Sequence, residues 1–101
     1  MNNEDSDIVN IKRTIIDLGT KFTRLTLGDV NEKCKESKDI VLKVINQMIG
    51  DNEIYAKYFK STQMIAFDQQ ANIDDIDNLM KTYQEWEKYE VERRYNFGLK
   101  V

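Results

Sequence analysis

The chain has 101 residues, 41% hydrophobic and 33% charged, enough for one core that buries about two-thirds of the unfolded surface and too few for a second. Its 15 Lys and Arg stand against 18 Asp and Glu, a net charge of -3, which excludes a whole-molecule positive field that would draw in a polyanion. No histidine and a single cysteine, Cys34, exclude an internal disulfide, the usual zinc sites and the Ser-His and Cys-His catalytic arrangements.

Along the chain, residues 1-5 are polar and expected to be disordered. Ile8, Ile11, Ile15 and Leu18 then repeat at helical spacing behind Ser6 as cap, and Gly19 is expected to end this first helix. Phe22-Thr23-Arg24-Leu25 is short and rich in strand formers. Thr26, with Asp29 three residues on, has the form of a capping box and predicts a short helix over 27-35. Ser37 offers the next cap. Ile40, Val41, Val44, Ile45, Met48 and Ile49 give the following helix a broad apolar face, and Gly50 suits a left-handed end to it. The two helices, joined through Cys34 to Ser37, read as a helix-turn-helix.

Residues 54-59 alternate, with Ile54, Ala56 and Tyr58 on one side and Tyr55, Lys57 and Phe59 on the other. Met64 to Phe67 returns after a turn at Ser61 to Gln63. Helix, strand, helix, helix and hairpin in that order predict an α+β fold, a winged helix over residues 6-70. From Asn72, read as a cap, a last amphipathic helix is expected over 71-92. Asp74, Asp75 and Asp77 lie in its first turns, and Ile73, Ile76, Leu79, Met80, Tyr83 and Trp86 form its apolar seam. Residues 93-101 are expected to fray.

The stretches "IIDLGTKFTRLTLGDVNEKC", "KDIVLKVINQMIGDNEIYAKYF" and "MIAFDQQ" together resemble the winged-helix half of PCI domains, found in subunits of the proteasome lid, the signalosome and a translation-initiation scaffold. Phe22 to Leu27 matches the family's strand motif, and Ile49 to Ile54 its turn before the wing. The last helix looks like those with which lid-type subunits bundle together. The resemblance implies a non-enzymatic scaffold that assembles with other proteins. About one helix precedes Phe22, where the family has a stack of helical repeats, so the chain reads as a fragment or a minimal relative.

Two binding readings follow from the residues. As a protein-docking module, the strand at 54-59 would offer an unpaired sheet edge with Tyr55, Lys57 and Phe59 beside it. Leu79, Tyr83 and Trp86 on the last helix would meet a partner or an identical copy, giving a homodimer or a hetero-oligomer. As a DNA-binding regulator, Lys38, Lys43, Asn46 and Gln47 on the second helix of the helix-turn-helix, with Lys57 and Lys60 on the wing, would contact the duplex. Over residues 27-60, however, six lysines meet six acids, so the unit lacks the positive face that counterion release requires. Tyr83, Trp86 and Tyr89 are an unsuitable base-stacking platform beside Glu85, Glu87 and Glu90. Cys34, spaced with Leu27 and Val30, reads as a small core hydrophobe. Gly19, Gly28, Gly50 and Gly98 lie in no phosphate-loop frame. No apolar N-terminal stretch suggests a leader or membrane span, and the expectation is a soluble cytoplasmic protein without cofactor, metal or small-molecule substrate.

Overall fold

The computed structural model describes residues 3-81 and, among side chains, those from residue 8 onward. Helix α1 spans Asn3–Lys21. It therefore begins ahead of Ser6 rather than behind it, and residues 3-5, expected to be disordered, are helical. Ile11, Ile15, Ile16 and Leu18 are buried in the core, as the helical spacing predicts, while Ile8 is half out of it.

Gly19 does not end α1. It lies within the helix because the next layer approaches too closely for a side chain. A Cβ there would fall 2.9 Å from the Asn72 amide nitrogen and 3.1 Å from carbons of both Ile54 and Phe67. The helix ends two residues later, and the Phe22 N–H still donates to the Leu18 carbonyl. That last helical bond is why strand β1 covers Arg24–Thr26 rather than starting at Phe22.

Helix α2 spans Leu27–Cys34 and opens with the expected capping box. The Asp29 N–H donates to the Thr26 hydroxyl at 3.0 Å, and the Thr26 N–H to the Asp29 carboxylate at 3.4 Å. Two otherwise orphaned donors are satisfied reciprocally. Lys35 closes α2 in the left-handed conformation, φ 59°, with its N–H shared between the Asn31 and Glu32 carbonyls. Helix α3 spans Lys38–Gly50 behind the Ser37 cap and buries Val41, Val44, Ile45 and Met48. Two expectations fail here. Ile40, assigned to the core face, is 44% exposed. The left-handed residue after α3 is Asn52, φ 58°, not Gly50, because the helix runs on through Gly50 and turns only at the Asp51 to Asn52 step.

Strands β2, Ala56–Phe59, and β3, Met64–Phe67, form the wing. They join β1 in an antiparallel sheet of order β1-β3-β2. Pairing Leu25 with Ile65 and Ile65 with Tyr58 puts one apolar row against the helices. Arg24, Ala66 and Lys57 pair as a row on the opposite face. The α+β winged helix predicted from element order is the architecture observed.

The C-terminal part differs more. Helix α4 spans Gln69–Asp74 and is capped by Asp68, whose carboxylate accepts the Ala71 N–H. The expected cap, Asn72, lies inside the helix and is fully buried. The helix breaks at Asp75 and resumes over 76-81, so the single helix expected from 71 is two pieces within the described residues. Leu79, assigned to an exposed flank, is 7% exposed and belongs to the core. Ile73, by contrast, points to solvent at 43%. Tyr83, Trp86 and Tyr89, with the rest of the expected seam and tail, lie outside the described residues.

Candidate functional site

The sheet order leaves β2 at an edge. Which of its main-chain groups are free follows from the ladder. The Asp68 N–H donates to the Tyr55 carbonyl at 2.9 Å, while the Phe67 N–H donates the other way, to Thr23 beyond β1. Main-chain groups alternate sides along a strand. With Phe67 paired to Ala56 and Ala66 to Lys57, Tyr55, Lys57 and Phe59 therefore aim theirs at β3. Ala56 and Tyr58 aim theirs outward, where no described residue bonds them.

The start of this edge is held firmly. Tyr55 donates its N–H to the Asn72 Oδ1 at 2.9 Å, and its carbonyl also accepts from the Asn72 amide at 3.2 Å. The same amide donates to the Gly19 carbonyl at 3.1 Å. One buried side chain thus ties α1, the lead into β2 and α4. The Tyr55 hydroxyl donates to the Asp75 carboxylate at 2.9 Å. That bond, the Asp75 charge and slight burial raise the Tyr55 pKa above its ordinary value. Beside the edge, an open hollow of about 470 Å³ is lined by apolar Ile49, Ile54, Ala56 and Phe67 and by polar residues including Asn52, Lys57 and Asp68.

Of the residues assigned to protein docking, Tyr55, Lys57 and Phe59 gather along β2 with exposed side chains, and Leu79 does not join them. The residues assigned to the DNA reading, Lys38, Lys43, Asn46 and Gln47 on α3 and Lys57 and Lys60 on the wing, are all exposed. On α3 they share the surface with exposed Asp39 and Ile40, and exposed Asp51 follows at the end of the helix. Cys34 is half-buried among core residues, and burial, with the Glu36 charge, pushes its thiol up to about 11. A thiol so placed is mostly protonated and unreactive at neutral pH.

Asn72 is the residue that sequence reasoning missed. Its signal was available in outline, since an Asn behind the acidic-capped start at Asp68 is one turn too late to be a cap, but its partners lie 17 and 53 positions away. Among the described residues, no three His, Cys, Asp or Glu side chains gather where they could hold a metal ion. No helix there is long and apolar enough to cross a membrane.

No curated protein matches the chain. The family model of the PCI domain matches residues 8–69, the span that runs from the first buried face of α1 through the wing to the start of α4. That match takes in more than half of the sequence and coincides with the winged helix observed, so the chain belongs to the PCI domain family.

Proposed function

We propose that this chain is a protein-docking module that takes a partner's strand onto the open edge of β2, with no catalytic role of its own. PCI domains are typically protein–protein scaffolds in complexes, and in this one the contact is made through a sheet edge. The observation that carries it is the pair of outward-facing residues, Ala56 and Tyr58, whose main-chain groups find no partner among the described residues. Strand addition supplies those missing hydrogen bonds, and exposed Tyr55 and Phe59 add apolar area around them. The Asn72 clamp keeps the edge in one conformation before a partner arrives, which reduces the ordering entropy lost on docking.

The test is backbone hydrogen exchange on the isolated chain and on complexes purified with it. In the isolated chain, the Ala56 and Tyr58 amides should exchange quickly while those of Lys57 and Phe59, bonded to β3, exchange slowly. In a complex the first two should become protected. If they stay fast in every complex the chain enters, docking does not occur at this edge.

A further inference from the structure

We infer that the β2 edge selects strands of a different protein in which an acidic residue opposite Lys57 alternates with a bulky apolar residue opposite Ala56. The inference rests on the docking reading above and names the partner's chemistry. A strand added antiparallel, as β3 is on the other side, would meet Ala56 and Tyr58 as hydrogen-bonded pairs and Lys57 as a non-hydrogen-bonded pair, the kind in which side chains approach most closely. The residue opposite Lys57 must therefore lie close beside its ammonium group. Lys57 is exposed and has no ion-pair partner among the described residues. Arg24, also exposed and without an ion-pair partner among the described residues, stands in the same cross-strand row beyond the small Ala66. Two cations on one row, in a chain of net charge -3, favour an acid at that position and disfavour a base.

Size is set on the other face. The partner residue opposite Ala56 directs its side chain to the same side as Ala56 and Phe67, which line an open hollow of about 470 Å³ together with apolar Ile49 and Ile54 and polar Asn52 and Asp68. Because Ala56 contributes only a methyl group, the incoming side chain has room there, and a branched apolar one covers the apolar part of the lining. Glycine leaves it uncovered.

The same geometry argues against a second copy of this chain at the edge. A two-fold antiparallel pairing in which the outward groups of Ala56 and Tyr58 in one copy meet those of Tyr58 and Ala56 in the other centres on Lys57, so each Lys57 would face its own counterpart. Like charges directly opposite are destabilising, and a lysine so placed is a known guard against self-pairing.

The experiment uses blocked synthetic peptides with a six-residue alternating core, either Glu with Ile, Lys with Ile, or Glu with Gly, and measures binding to the full chain by fluorescence anisotropy. The Glu–Ile peptide should bind about tenfold more tightly than either of the others. Lys57→Glu should reverse the preference between Glu and Lys, and Ala56→Leu should abolish the advantage of Ile over Gly. Equal binding of the Glu–Ile and Lys–Ile peptides, or no binding of the Glu–Ile peptide, overturns the inference. Methylating the peptide's edge-facing amide nitrogens separates the two levels. Binding that survives methylation overturns the docking reading itself, whereas binding that is lost on methylation but indifferent to charge overturns only the selectivity. The peptide modification leaves the protein's own fold untouched.

Discussion

Asn72 is fully buried, and its amide uses one acceptor and two donors on main-chain groups of Tyr55 and Gly19. The Gly19 carbonyl sits in the last turn of α1, where no helical N–H can reach it, and the neighbouring Thr20 carbonyl is met in the same way by the Gln69 side chain at 2.9 Å. Side chains at the start of α4 therefore finish α1. Leucine in place of Asn72 keeps the branched shape and the number of side-chain heavy atoms but strands the Tyr55 N–H and the Gly19 carbonyl away from water, at about 2 to 4 kcal/mol in total. Urea denaturation of Asn72→Leu should show that loss with an unchanged slope, and a loss below about 1 kcal/mol would mean the network contributes no more than a surface contact. Tyr55 carries a pH signature. Its folded pKa is raised by the bond to Asp75, the Asp75 charge and slight burial, so its contribution to stability is complete below the ordinary tyrosine value of about 10 and disappears as pH rises through the raised one. An ultraviolet titration should find one tyrosine ionising late, and Asp75→Asn should bring it back down. Identical titration curves for the two proteins would show that the bond does not form in solution.

Among the elements, the turn between α2 and α3 holds a conflict that a single change relieves. Lys35 has φ 59°, a conformation that costs a residue with a Cβ about 1 to 2 kcal/mol, whereas glycine loses roughly 0.5 to 1 kcal/mol more than alanine through its greater freedom when unfolded. The first quantity is the larger. Lys35→Gly should therefore stabilise the chain by up to about 1 kcal/mol, read as a higher midpoint of thermal unfolding, and a lower midpoint would refute the balance. This turn also shows why parts of the fold were legible beforehand. Thr26 with Asp29, and Ser37 ahead of its apolar run, are local signals within four residues of the bonds they make, and the alternation from Ile54 to Phe59 survives as burial on one face and exposure on the other. Gly19 was misread because a glycine serves a C-cap and a close approach alike, and only the distant Asn72, Ile54 and Phe67 decide between them; at Gly50 the helix does end as expected, and only the left-handed turn falls later, at Asn52. Leu79 was misassigned for a related reason. Its helical spacing marks an apolar stripe, but not whether that stripe meets the chain's own core or another molecule. Along the edge strand, Tyr55, Lys57 and Phe59 were visible as a strand's outer side. That the groups of Ala56 and Tyr58 face outward, unbonded among the described residues, depends on the sheet order, which no local pattern encodes.

For the molecule as a whole, the decisive quantity is charge distribution. A winged helix that grips DNA must neutralise several phosphates, and affinity then falls steeply with salt as counterions cease to be released. Here the surface offered by α3 sets exposed Lys38 and Lys43 among exposed Asp39 and Asp51, with Ile40 half out of the protein between them, and the segment 27-60 carries equal numbers of lysines and acids. An isoleucine at that position lacks any hydrogen bond for a base edge. Titrating the chain to ~10 µM against a labelled duplex at low salt should therefore give little or no rise in anisotropy, since even non-specific binders of ordinary basic character have dissociation constants of about 1 to 100 µM at physiological salt. Binding that is tight at low salt and collapses by orders of magnitude as salt rises would place the function on α3 instead of β2. Lys57→Glu sharpens the contrast, because Lys57 belongs to both readings. On the wing of a DNA-gripping protein it removes one phosphate contact and weakens binding to every sequence alike, reducing the salt slope by about one. At a strand-accepting edge it leaves the negligible duplex signal where it was and exchanges a preference for acidic strands for a preference for basic ones.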